Sequence, residues 1–208
     1  MSFPGTSGLG IGWLPNEYAA AGVTFTRRGA RMDEYLRCLE ALWTQDPVEF
    51  AGEFYTVPRS RIGIRSVQRP HPPVLLGGGA PAALRRAGRL AQGWISSTRQ
   101  DPARIGESIA LVRQGALEAG KDPDAVRVLV RAVVELHQRP AGPDRSPFEG
   151  DREQVLHDLA GLRRQGVTDA FVDLNFSPRV GSPDVDPDAA TAYAEQVLDA
   201  LAPAHLER

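Results

Sequence analysis

The chain has 208 residues, 42% hydrophobic and 24% charged, with a formal net charge of -2 and a single cysteine. Those values are globular rather than disordered and allow a substantial core. The near-cancelled charge argues against a nucleic-acid surface, no apolar run approaches the roughly 18 residues of a membrane span, and Cys38 alone excludes a disulfide framework or a multi-cysteine zinc site.

The N-terminus, Met-Ser-Phe-Pro-Gly-Thr-Ser-Gly, lacks the basic and apolar segments of a signal peptide. A cytoplasmic protein is expected. Ser7–Ile11 reads as a brief glycine-rich strand, and Asn16–Ala21 as a helical turn ended by Gly22. Arg28–Thr44 is a stronger helix: Met32, Tyr35, Leu36, Leu39, Leu42 and Trp43 recur at three- and four-residue spacing and share one face. Val48–Phe50 and Glu53–Val57 flank Ala51-Gly52, a two-stranded excursion. Pro70, Pro72 and Pro73 mark an extended approach to a strand at Val74–Gly77, followed by a helix over Pro81–Ala91. Gly93–Ser97 is the next strand and Pro102–Ala119 its helix, closed by Gly120. Val126–Leu136 is a long β-branched strand, and Gln138–Gly150 a loop. Asp151 caps a helix that runs to Gln165, with Gly166 just past its end. Thr168–Asn175 is a further strand and Ser177–Asp186 a loop. Pro187–Leu201 is the last helix, with Pro187 in its first turn.

Short apolar strands alternating with amphipathic helices imply a parallel sheet covered by helices, joined by right-handed crossovers. About five βα units are countable. A closed (β/α)₈ barrel needs eight and about 250 residues. The pattern therefore fits a barrel lacking part of itself or an open Rossmann-like sheet. No linker divides the chain, so residues 1–208 are expected to form one domain.

Two segments could carry chemistry. In Gly8-Leu-Gly10-Ile-Gly12-Trp13, alternate glycines leave one strand face without side chains, so a flat ligand could lie against the backbone. The same glycines could simply let a strand bend or pack closely. The run is neither the dinucleotide pattern nor a phosphate-binding loop with Gly-Lys-Ser/Thr. In Leu75-Leu76-Gly77-Gly78-Gly79-Ala80-Pro81 a strand ends, glycines turn the chain and a helix begins. The free N–H groups and positive dipole end of that helix favour an anion. An ordinary glycine-rich turn is the plainer reading.

His71, His137, His157 and His205 lack metal-ligand spacing, and no metal site is expected. His71 serves a loop, and His157 is a surface or packing residue. Asp33-Glu34 sit early in a helix, where acids favour the dipole. Arg85, Arg86 and Arg89 read as a solvated helix face from which one could reach a phosphate. Cys38 reads as a small core residue. Ser96 and Ser97 could bond a ligand or cap a helix. No catalytic residue is assignable.

Gly8-x-Gly10-x-Gly12-Trp13-x-x-x-Glu17, then Gly22, Phe25, Arg28, Arg31, Asp33-Glu34 and Leu42-Trp43, resembles one block of the luciferase-like monooxygenases. Val48, Phe50, Gly52, Phe54 and Tyr55, Pro70-x-Pro72-Pro73-Val74 before Gly77-Gly78, Gly93-Trp94-Ile95 and Gly166-Val167 continue the resemblance over nearly the whole chain. It is closest to the deazaflavin (coenzyme F420) branch, with FMN as the alternative cofactor. The resemblance implies a (β/α)₈ barrel with the cofactor at its C-terminal mouth. It implies Gly10 and Gly12 beside the ring system, and Gly77, Gly78, Gly79 and Ala80 at the phosphate. The reaction implied is hydride transfer or oxygen activation on a small organic substrate. Gln92 stands where the family usually has Asp. The family also has about three βα units before the position of Gly8. An incomplete barrel, its C-terminal two-thirds, is therefore expected, with a second copy or a partner chain covering the open side. The alternative is a non-catalytic remnant or subunit that pairs with another polypeptide.

Overall fold

The computed structural model describes residues 5–63 and 66–202, so His205 lies outside the described residues. The chain divides into two compact units, Met1–Ile95 with Ala110–Arg127, and Ser96–Ile109 with Val128–Arg208.

The first unit opens with β1 (Ser7–Leu9), a short helix α1 (Pro15–Ala20) and the long α2 (Arg28–Thr44). An antiparallel hairpin follows, β2 (Val48–Ala51) and β3 (Thr56–Ser60). Then come β4 (Val74–Gly77), α3 (Pro81–Leu90) and β5 (Gly93–Ile95). β1, β4 and β5 lie parallel, with β4 between the other two. Val74, Leu75 and Leu76 are all buried, so both faces of β4 are covered, as a continuous apolar run requires. Leu84 and Ala87 bury the inner face of α3. The helix α4 (Ile105–Glu118) begins after a 3₁₀ turn at Pro102–Arg104, where the sequence suggests one continuous helix. α3 meets α4 at glycine: a Cβ on Gly88 would sit 1.8 Å from the Val112 carbonyl oxygen, and one on Gly115 2.1 Å from that of Arg85. No side chain fits at either crossing point.

The second unit pairs β6 (Arg127–Val133) with a parallel strand further on. The expected single strand over Val126–Leu136 is broken at Val134, whose N–H turns to the Asp173 carbonyl. β7 (Glu135–Leu136) instead pairs with β8 (Glu149–Gly150), which the sequence assigns to a loop. α5 (Arg152–Arg164) starts at a capping box, Asp151 accepting the Gln154 N–H and Gln154 accepting that of Asp151. β9 (Asp169–Asp173) completes the parallel pair and α6 (Pro187–Leu201) closes the unit. β6 alternates buried and half-buried residues, Val128, Val130 and Ala132 facing the core.

Among the described residues no helix is long and apolar enough to cross a membrane.

Candidate functional site

Both glycine segments lie at the C-terminal edge of the same parallel pair. The register of β1 on β4 runs Ser7 to Val74, Gly8 to Leu75 and Leu9 to Leu76, so Gly10, the first residue past β1, comes beside Gly77, the last residue of β4. Ligands in parallel α/β folds bind at this edge. A Cβ on Gly8 or Gly10 would meet nothing within 4 Å, so the space above them is open. Gly12 (φ +73°) and Gly78 (φ +134°) adopt backbone conformations that side chains disfavour. The Gly78 carbonyl accepts a 2.8 Å hydrogen bond from Nε1 of the buried Trp94, which fixes the corner. Gly79 and Ala80 remain exposed. Ala80 is the extended N-cap residue of α3 and supplies no capping side chain, while Pro81 occupies the first turn. A helix start of this kind is suited to an anion. Open space over Gly10 beside an uncapped, glycine-flanked helix start fits a flat cofactor with an anionic tail.

A cavity of about 250 Å³ adjoins Gly10, walled by Tyr18, Arg28, Arg31, Tyr35 and Tyr55. A narrow crevice leads from Leu9–Ile11 to Gly77 and Ala83. The Tyr18 hydroxyl donates to the Ile11 carbonyl, tying α1 to the glycine run. Arg28 lies 4.0 Å from the Phe25 ring centroid, and Arg31 donates to the Thr24 carbonyl at 3.1 Å. Burial pushes the Tyr55 phenol up, with the Arg31 charge opposing it, so Tyr55 presents a protonated hydroxyl at neutral pH. The cavity therefore offers two guanidinium groups and phenolic hydroxyls beside a bare strand end.

The acids of α2 have roles other than the dipole effect their position suggests. α2 starts at Arg28, so Asp33 and Glu34 lie in its second turn, beyond the reach of an N-terminal dipole. Glu34 is buried and accepts the backbone N–H groups of Glu53, Phe54 and Tyr55 at 2.7–2.9 Å. Those bonds hold 53–55 in a turn, which is why β3 begins at Thr56 and not at Glu53. Burial raises the Glu34 carboxyl, but the three N–H donors and the Arg37 charge outweigh it and hold the group below its ordinary value. Asp33 pairs with Arg86 and with Arg89 at 3.3 Å. Arg86, with 13% of its side chain exposed, is thus paired with α2 rather than part of a solvated face, and it also lines the crevice beside Gly10 and Gly77. Ser96 is buried, and its Oγ accepts the Arg131 N–H at 3.0 Å. Cys38 is buried. His71 stacks on Trp43 at 5.2 Å, and exposed His157 borders a cavity of about 330 Å³ in the second unit, beside the Arg145–Asp158 ion pair. Among the described residues no group of His, Cys, Asp and Glu could hold a metal ion.

The second unit carries polar residues that sequence reasoning does not single out. Asp173 is fully buried at the end of β9, 2.5 Å from Arg131 Nη2, and its second oxygen accepts the Asn175 N–H at 3.0 Å. Glu135 accepts the hydroxyl of buried Ser177 at 2.7 Å and pairs with Arg179 at 3.0 Å. The Tyr193 hydroxyl accepts the Leu136 N–H at 2.7 Å, and burial pushes that phenol up. The available signal was an arginine in the middle of a β-branched strand that also begins with one, with an aspartate ending the next parallel strand.

The sequence profile of the family described as luciferase-like monooxygenase matches residues 6–142. An uncharacterized protein of Mycobacterium tuberculosis is 35% identical over 184 residues, covering 86% of this chain and 55% of that protein. The F420-dependent glucose-6-phosphate dehydrogenase of Nakamurella multipartita is 30% identical over 151 residues, covering 72% of this chain and 38% of the relative. The chain thus spans about half the length, or less, of these relatives. Among solved structures, an F420-dependent secondary alcohol dehydrogenase in complex with an F420-acetone adduct superposes with a TM-score of 0.68 at 17% identity, covering 82% of this chain and 66% of that one. At that identity the likeness concerns the fold alone.

Proposed function

We propose that this chain, which belongs to the luciferase-like monooxygenase family, forms the cofactor-holding part of an oxidoreductase that uses a deazaflavin on a small organic substrate. The observation that carries this reading is the adjacency of Gly10 and Gly77 at one sheet edge, next to the uncapped start of α3. When bound, the cofactor supplies hydride transfer or oxygen activation. Gly10 and Gly12 flank its ring system. Gly77, Gly78, Gly79 and Ala80 offer main-chain N–H groups to its phosphate. Arg28, Arg31 and the tyrosines of the adjoining cavity bind and orient the substrate. A 30% identical relative described as F420-dependent supports the deazaflavin, and a 31% identical one described as FMNH(2)-dependent supports FMN as the alternative. The parallel strands and their helices form five βα units of an incomplete (β/α)₈ barrel. Residues 1–208 act as one domain, in the cytoplasm, with the open side covered by a second copy or a partner chain.

The test is a fluorescence titration of the purified chain with a deazaflavin and, in parallel, with FMN. Saturable quenching by the deazaflavin is expected. Gly10→Val fills open space, so the fold should persist while affinity falls by about tenfold or more. Saturation by FMN alone replaces the cofactor assignment. Saturation by neither rejects the function for this chain.

A further inference from the structure

We propose a second ligand site, on β6 and β9, in which Arg131 anchors the carboxylate of a flat, aromatic acid. It lies wholly within the second unit and involves none of the residues assigned to the cofactor.

Register places the parts. Arg131 pairs with Phe171 and Val133 with Asp173 across the parallel strands, so Arg131, Phe171 and Asp173 project from one face of the pair. Asp173 is wholly buried, and its two oxygens are engaged by Arg131 Nη2 and the Asn175 N–H. It therefore serves as a fixed internal acceptor that sets the plane of the guanidinium. Arg131 itself is 31% exposed along its side chain. A guanidinium has five N–H donors in a rigid fork. Among the described residues Asp173 is the one carboxylate bonded to it, which leaves donors for a second planar acceptor.

One exposed ring, Phe176, borders that cation, and a second belongs to its register partner, Phe171. Phe171 is 49% exposed and Phe176 62% exposed, and the guanidinium carbon lies 5.9 Å from the Phe176 ring centroid. Large exposed aromatics beside an oriented arginine form an apolar platform with a directional polar end. A ring-bearing carboxylate satisfies both: its carboxylate takes the forked donors and its ring covers phenylalanine surface now in water. The Arg131–Asp173 pair is neutral overall, so recognition rests on directed hydrogen bonds and not on a diffuse positive field. A small inorganic anion, which lacks the flat part, should bind less well.

Benzoate, benzyl alcohol and inorganic phosphate are titrated separately into the cofactor-free full chain, followed by ligand-observed NMR. Benzoate is expected to saturate, with the other two at least about tenfold weaker. Phe176→Ser, at an exposed position, should weaken benzoate severalfold without altering the fold. Arg131→Gln combined with Asp173→Asn keeps a hydrogen-bonding pair in place and should erase the preference for benzoate over benzyl alcohol. Circular dichroism checks each variant. The proposal is overturned if benzoate does not saturate, or if Phe176→Ser leaves its affinity unchanged. A folded double variant that binds benzoate like the parent overturns it as well. None of these outcomes bears on cofactor binding, which the earlier titration reads separately.

Discussion

The ends of β1 and β4 carry Gly10, Gly12 and Gly77–Gly79, whereas β6 and β9 carry Arg131 and Asp173 near their ends, with Glu135 and Ser177 beyond. In the first unit the chain withdraws its side chains and leaves backbone for a ligand to lie on. In the second it supplies charged groups and fixes them with buried partners. The contrast separates two ways of building a site. A bare site depends on close packing behind it, because glycine corners have no side chains of their own to hold them. A furnished site depends on each charge keeping its partner.

Four substitutions probe that contrast, in falling order of effect. Asp173→Ala removes the buried partner of Arg131 and should cost about 3–5 kcal/mol, read as a shift in the urea unfolding midpoint; a loss no larger than that of a surface substitution would show that the second unit does not rely on paired charges. Gly88→Ala places a methyl group against the α4 backbone and should cost about 1–3 kcal/mol. An unchanged melting temperature would mean that the crossing of α3 and α4 relaxes freely, and that the glycine corner has no rigid support. Asp151→Ala deletes one arm of the capping box and should cost about 1 kcal/mol, measurable by chemical denaturation, because a helix start normally finds its acceptor locally.

Glu34→Gln is the mildest at neutral pH, and its signature is the acid limb. The Glu34 carboxyl is held below its ordinary value in the folded chain, so its contribution is present above that ordinary value and is lost as pH falls through the folded one. The variant should flatten this part of the stability-versus-pH curve. An acid limb identical to the parent's would show that the three N–H bonds to Glu34 carry no pH-dependent stability.

Local signals made most elements legible. The three- and four-residue spacing along α2 and the proline starts of α3 and α6 mark helices, and the glycines after Leu76 end β4 where expected. The break at Val134 was not legible, because the β-branched run continues through it while the cause, a bond to the Asp173 carbonyl, lies 39 residues further on. The same reason divides the candidate sites. Glycine corners announce themselves in a few consecutive residues, and register then brings Gly10 beside Gly77. Glu34, Arg131 and Asp173 acquire their roles from chain 19 to 42 residues distant, which no local spacing encodes.

The carboxylate of Glu34 has a consequence for modularity. The bend joining β2 to β3 has one closing bond of its own, Gly52 N–H to the Tyr55 carbonyl at 2.9 Å, and takes three further acceptor contacts from α2. As a hairpin it is a borrowed shape. Transplanted without its helix it would keep a single bond across the bend, whereas replaced in place it must still present three amide hydrogens to the same two oxygens.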